Sequence, residues 1–221
     1  DVVSYERDGD VAIAVVNNPP VNALSHEVRS GLKAALDRFA AEEDARALVI
    51  HCEGRTFLAG ADISEFGKPP QAPWLPQLCN EIEDCAKPVV ATLHGTPLGG
   101  GLEVALGAHY RVAQEGTRVG LPEVHLGLLP GAGGTQRLPR VAGAEAALEM
   151  ITSGRHVPAK EALAKGIIDA IDGSGDPKAA GVAFARKLIA EGEGPRPTKA
   201  LKVEAGPEVF EAAETAAAKA A

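Results

Sequence analysis

The sequence predicts an α/β fold, and three observations carry that prediction. Short β-branched runs alternate with segments of helical period. Clusters of Gly, Pro and Asn punctuate the joins. The mixture of 45% hydrophobic and 24% charged residues is that of an ordinary globular chain. At 221 residues the chain suits one large domain or two small ones, with a sizeable core.

Taken in order, Val11–Val16 is a β-rich run halted by Asn17-Asn18-Pro19-Pro20. Ser25 is a natural N-cap for a helix to about residue 42, with Val28, Leu32, Leu36 and Phe39 on one face. Ala47–Cys52 reads as a buried strand. Pro69, Pro70, Pro73 and Pro76 make residues 65–76 a loop, expected to be mobile. Residues 78–86 form a helix that stops before Pro88. Val89–Leu93 is a strand. Gly99-Gly100-Gly101 follows, then a helix over 102–108. Short strands are expected at 110–113 and 118–120, helices at 144–153 and 159–165, a strand at 167–171 and a helix at 179–191. Residues 192–197 form a Gly/Pro linker, and Pro207–Ala220 an alanine-rich final helix. No fixed-period repeat is present.

Formal charge is -8. That balance argues against a nucleic-acid binder and lends no support to a basic membrane-facing surface. A polyanionic ligand would need a local basic or backbone-donor site. Cys52, Cys79 and Cys85 are odd in number and form no CxxC, which reads as reduced thiols. No apolar run approaches the ~20 residues of a membrane-spanning helix. Asp1 stands where a Met would start a chain, so a trimmed start is expected. The Ala-terminated end carries no Ser-Lys-Leu peroxisomal signal.

Several motifs fail on inspection. Gly131-Ala132-Gly133-Gly134-Thr135-Gln136 has Gln where a dinucleotide fingerprint needs Gly or Ala, and it follows Pro130 in a turn. There is no GxxxxGK[ST], no HExxH and no GxSxG, and the six histidines are scattered without ligand spacing. No metal site is expected.

Two glycine-rich segments remain. They are Phe57-Leu58-Ala59-Gly60-Ala61-Asp62-Ile63 and Leu98-Gly99-Gly100-Gly101-Leu102-Glu103. Small residues let a ligand approach the backbone and leave N–H groups free to donate. A helix N-terminus after the second segment would add a partial positive charge. On glycine content alone, tight turns and close helix packing account for both. Glu103 and Glu123 lie beside glycine-rich turns. Singly, each reads as a helix-terminal or solvated loop carboxylate.

Together, however, four segments in order resemble the enoyl-CoA hydratase/isomerase (crotonase) superfamily over about residues 10–172. They are Ala59-Gly60-Ala61-Asp62, Gly99-Gly100-Gly101-Leu102-Glu103, Leu121-Pro122-Glu123, and Leu129-Pro130-Gly131-Ala132-Gly133-Gly134-Thr135-Gln136-Arg137-Leu138-Pro139. Each motif is weak alone; the ordered set, with its twenty-residue interval between the glutamates, is specific.

The resemblance implies a crotonase-like spiral of ββα units with a helical C-terminal region, occupying residues 1–191. Residues 192–221 would be a linker and helix leading toward a missing dehydrogenase portion. The resemblance implies hydration of a 2-enoyl-CoA in fatty-acid β-oxidation, with isomerisation of 3-enoyl-CoA or non-catalytic acyl-CoA binding as alternatives. Glu103 and Glu123 match the acid and base. The N–H groups of Ala59 and Gly100 match the oxyanion donors. The backbone of Ala59, Gly60, Ala61 and Asp62 matches the coenzyme A side, with Asp62 itself a turn residue. Gly99 and Gly131 complete the binding set, Gly131 holding the water. No metal or redox cofactor is implied, because coenzyme A belongs to the substrate. The chain is most like the N-terminal part of multifunctional fatty-acid oxidation enzymes. A covalently linked 3-hydroxyacyl-CoA dehydrogenase portion is the partner this suggests, and oligomeric state stays open. Composition leans toward a bacterial cytoplasm, with a peroxisome as the alternative.

Overall fold

The computed structural model describes residues 1–65 and 67–220; residue 66 of the proline-rich loop and residue 221 of the C-terminal segment lie outside it. Its centre is a six-stranded sheet in the order β1-β2-β3-β4-β5-β8. These strands are β1 (Val3–Asp8), β2 (Val11–Val16), β3 (Ala47–Cys52), β4 (Val89–Leu93), β5 (Tyr110–Gln114) and β8 (Ala170–Asp172). The β1–β2 pair is antiparallel and every later pair is parallel. A two-stranded antiparallel pair, β6 (Arg118–Val119) with β7 (Val157–Pro158), lies apart from it.

Strands β2 through β5 are buried at every position. That pattern requires cover on both faces, and the packing supplies it. Ala12, Ala14 and Val16 point to one core with helix α1 (His26–Ala41), α2 (Leu75–Glu83) and α3 (Gly100–Gly107). Val11, Ile13 and Val15 point to a second core closed by Val182, Ala185 and Leu188 of α7 (Pro177–Glu191). Helices α4 (Gly134–Ala142), α5 (Ala144–Ser153), α6 (Ala159–Ala164) and α8 (Pro207–Ala220) complete the chain.

Ser25 caps α1 as expected, accepting a hydrogen bond from the Val28 N–H. The structure also moves several expected boundaries. Helix α2 begins three residues early because Pro76 sits in its first turn, where a missing N–H costs nothing, and it ends at Glu83 rather than residue 86. Helix α7 begins at Pro177, capped by the Asp176 carboxylate on the Ala179 N–H. Ile167 and Ile168 are buried but turn-bound, both donating to the Ala162 carbonyl, so β8 starts only at Ala170.

The proline-rich loop is clasped rather than free. The buried Arg29 guanidinium donates to the carbonyls of Leu24, Gln71 and Pro73 and to the Glu65 carboxylate, all within 3.2 Å. The linker after Gly192 is likewise tied down. Tyr110 donates to the Gly194 carbonyl at 2.9 Å, and Arg196 reaches the His109 carbonyl and Asp169.

Candidate active site

A short ladder gathers the glycine-rich segments. Isolated parallel bridges join Leu24 to Ala61, Ala59 to Leu98, and Leu98 to Gly120. The Leu24 N–H donates to the Gly60 carbonyl and the Gly99 N–H to the Gly120 carbonyl, each at 3.0 Å. Segments scattered from Leu24 to Gly120 in the sequence thus share one edge.

The three glycines of the second segment do different work. Gly99 has φ +55 and serves as the N-cap of α3, a conformation that a side chain strains. Gly101 meets the backbone: a Cβ there would stand 1.8 Å from the Leu58 carbonyl oxygen. Gly100 is the first residue of α3, where no intrahelical acceptor exists for its N–H. Among the described residues, no protein acceptor takes the N–H of Ala59, Gly100 or Gly131.

Glu103 is buried in the first turn of α3. Its Oε1 accepts from the N–H of Ala132 at 2.8 Å and of Gly134 at 2.9 Å. Burial raises its carboxyl above the ordinary range, and the two N–H groups and the Arg137 charge partly oppose that rise. A side chain at residue 134 would crowd this contact, since a Cβ would fall 2.9 Å from Glu103 Oε1.

Glu123 rides a 3-10 turn over Pro122–Leu126, closed by Gly127 in the left-handed region. Its Oε2 is buried with no protein partner. Burial, and then the nearby Glu103 charge, raise its carboxyl too. Both carboxylates line one cavity of about 430 Å³, together with Ala59, Gly60, Ala61, Gly99, Gly100 and Gly131. Its apolar wall comes from Ile63, Leu75, Leu126 and Leu128. Three larger grooves, of about 620, 630 and 460 Å³, are lined by no buried titratable group among the described residues, so none of them presents a buried acid–base pair.

Asp62 is the expected turn residue: its carboxylate accepts from the Ser64 N–H at 2.9 Å, and the Ser64 hydroxyl first, then that N–H, lower its pKa. It does not line the cavity. The cysteines are poor nucleophiles, because burial pushes Cys79 up to about 12 and raises Cys52 and Cys85. Among the described residues no cluster of three or more His, Cys, Asp or Glu is arranged to hold a metal, and no helix is long and apolar enough to cross a membrane.

Sequence reasoning missed part of the surroundings. Arg29, Asn80 and Glu83 carry no local motif. Leu75, Leu126 and Leu128 look like ordinary core or loop leucines. Arg137 stood inside a recognised motif, but nothing nearby in sequence indicated its partners.

Comparison with known proteins agrees with this architecture. The profile of the enoyl-CoA hydratase/isomerase family matches residues 6–213, and the chain belongs to that family. It is 52% identical over 161 residues to the peroxisomal bifunctional enzyme of Danio rerio, covering 73% of this chain and 22% of that one. It is 44% identical over 175 residues to the "Probable enoyl-CoA hydratase" of Bacillus subtilis, covering 76% of this chain and 68% of that one. Among solved structures, an enoyl-CoA hydratase from Bacillus anthracis superposes with TM-score 0.81 at 29% identity, over 86% of this chain and 77% of the other. The chain therefore spans about a fifth of the bifunctional relative and most of the single-function ones.

Proposed function

We propose that this chain hydrates 2-enoyl-CoA thioesters in fatty-acid β-oxidation, with Glu103 and Glu123 as the acid–base pair. The supporting observation is the pairing of two buried carboxylate oxygens with free backbone N–H groups around one cavity. In this reading the thioester carbonyl sits between the N–H groups of Ala59 and Gly100. Water oxygen bonds to C3 while the C2–C3 π electrons move toward C2 and the thioester oxygen. One carboxylate takes a proton from the water, and the other delivers a proton to C2. The overall result is addition of one H₂O.

The negative charge that grows on the thioester oxygen is the quantity to stabilise. Fixed donors at the start of α3 favour it more than the neutral ground state, each contributing on the order of 10²–10³ in rate. The two carboxylates resist simultaneous ionisation, because each is desolvated and their charges repel. A pair sharing one proton is the form that can both take and give. Gly131 would help to hold the water, and the Ala59–Asp62 backbone would run along coenzyme A. By the same reading residues 1–191 are the catalytic body, and 192–221 lead toward the dehydrogenase portion that the sequence resemblance implies.

The test is hydration of a short 2-enoyl-CoA by the parent, Glu103→Gln and Glu123→Gln, with 3-enoyl-CoA alongside. Loss of roughly 10²–10⁴ in kcat in both folded variants is expected. Full activity in either variant overturns the two-carboxylate mechanism. Faster turnover of the 3-enoyl substrate by the parent turns the reading toward an isomerase.

A further inference from the structure

We infer that Arg137, which lies outside the cavity, is a positioning residue that sets the placement and protonation of Glu103 through the turn at residues 131–134. The inference rests on the hydratase reading only for its kinetic readout.

Arg137 is buried on α4, and all three of its guanidinium nitrogens are engaged. Nε and Nη2 reach the two Glu83 oxygens at 3.3 and 3.2 Å. Nη2 also donates to Asn80 Oδ1 at 2.8 Å. Glu83 and Asn80 both belong to α2, so the guanidinium fastens α4 to a separate helix. Nη1 then donates to the Ala132 carbonyl at 3.2 Å. Ala132 is the residue whose N–H donates to Glu103 Oε1. One residue is therefore gripped at its carbonyl by Arg137 and at its N–H by Glu103.

The grip leaves little play. Gly133 has φ +99, and a Cβ on it would lie 2.2 Å from Arg137 Nη1, so the guanidinium packs directly against the turn. The backbone N–H of Arg137 donates to the Gly133 carbonyl at 2.8 Å, anchoring the same turn from the helix side. Glu83, also buried, is completed by the Lys199 N–H at 3.1 Å on Oε1. An arginine fork suits this role better than a lysine, because three directions must be satisfied at once.

The charges facing Glu103 are few: Glu123 from the 3-10 turn, Arg137 from α4, with Cys79 of α2 as a further titratable neighbour. Arg137 is the cation among the named influences on Glu103, and it favours the ionised form. Removing it should raise the Glu103 pKa and loosen the turn together.

The experiment compares the parent with Glu83→Gln/Arg137→Gln, which removes both buried charges at once, and with Arg137→Lys, which keeps the charge but loses the fork. For the double variant we expect kcat to fall about 10- to 100-fold, as for a misplaced catalytic group, with KM changed less than about twofold. Its pH profile moves to higher pH. Arg137→Lys is expected to lose kcat with an almost unmoved profile. Normal kcat and an unmoved profile in the folded double variant overturn the inference. Where that variant does not fold, full kcat in Arg137→Lys overturns it. The Glu103 carboxyl is also titrated by ¹³C NMR in parent and variants, a readout that needs no turnover. An inactive parent whose Glu103 titration rises in the double variant sinks the hydratase reading and leaves this inference standing. An unchanged titration sinks the inference itself.

Discussion

Glu103 and Glu123 line the same cavity, yet their surroundings differ in kind. Glu103 sits on a helix, is buried, and has one oxygen fixed by two backbone N–H groups. Glu123 sits on a 3-10 turn among exposed residues and has a buried oxygen with no partner. The first carboxylate is part of the architecture, since it ties α3 to the turn before α4. The second is held by its backbone alone, so its head group can respond to whatever enters the cavity. The contrast suggests a division between a fixed group and an adaptable one.

The sharpest way to break that comparison is to truncate each residue. Glu103→Ala removes the acceptor for two buried N–H groups, those of Ala132 and Gly134. Each orphaned donor costs on the order of 1–3 kcal/mol. Glu123→Ala removes an oxygen that had no partner, so no donor is stranded. Thermal unfolding should therefore show Glu103→Ala markedly destabilised and Glu123→Ala close to the parent, with both inactive as hydratases. Equal losses of stability would mean that Glu103 is no more architectural than Glu123.

A milder change leaves both carboxylates present. In Gly134→Ala the new methyl would approach Glu103 Oε1 at 2.9 Å, Pro130 Cβ at 3.0 Å and a Leu121 methyl at 3.1 Å. Something must shift, and overpacking of this kind costs about 1–3 kcal/mol. The methyl would press on the carboxylate and on the turn that holds it, so activity should fall at least about tenfold, in line with misplacement of a catalytic group. Hydration kinetics beside a denaturation curve separate the two effects. Unaltered kcat would mean that the Glu103–Gly134 contact does not govern the placement of the carboxylate.

These contacts also explain which features could be read from the sequence. Glu103, Glu123 and the glycine segments were legible because their order and spacing along the chain carry the resemblance. The contacts of Glu103 were not, since Ala132 and Gly134 lie 29 and 31 residues away. The Arg137–Glu83 pair spans 54 residues. Buried strands β2 to β4 announced themselves as largely apolar runs, whereas β1 did not. Its half-buried alternation over Val-Ser-Tyr-Glu-Arg-Asp reads as a polar loop until pairing with β2 fixes it as an edge strand. Helix α4 was hidden by its own punctuation: Gly133 and Gly134 open it and Pro139 interrupts it. Both signals usually end helices. Here the glycines admit the Arg137 and Glu103 side chains, and a nine-residue helix tolerates one missing bond.

The smallest expected effect tests the adaptable carboxylate by its pH dependence. Burial and the Glu103 charge raise the folded-state pKa of Glu123. The unfolded chain loses that proton near an ordinary glutamate value of about 4.3. Between that value and the raised one, the folded state binds more protons than the unfolded state, so stability falls as pH rises. The penalty is complete above the folded pKa and absent well below 4.3. Glutamine never ionises and escapes it. Glu123→Gln should accordingly melt above the parent at pH 7–8, with the gain shrinking toward nothing as pH falls to about 4. Partial exposure of the side chain keeps the gain modest, because solvent screens part of the desolvation. A gain that stays constant across that range would assign it to packing. A loss at neutral pH would show that ionised Glu123 has a favourable partner, removing the contrast with Glu103.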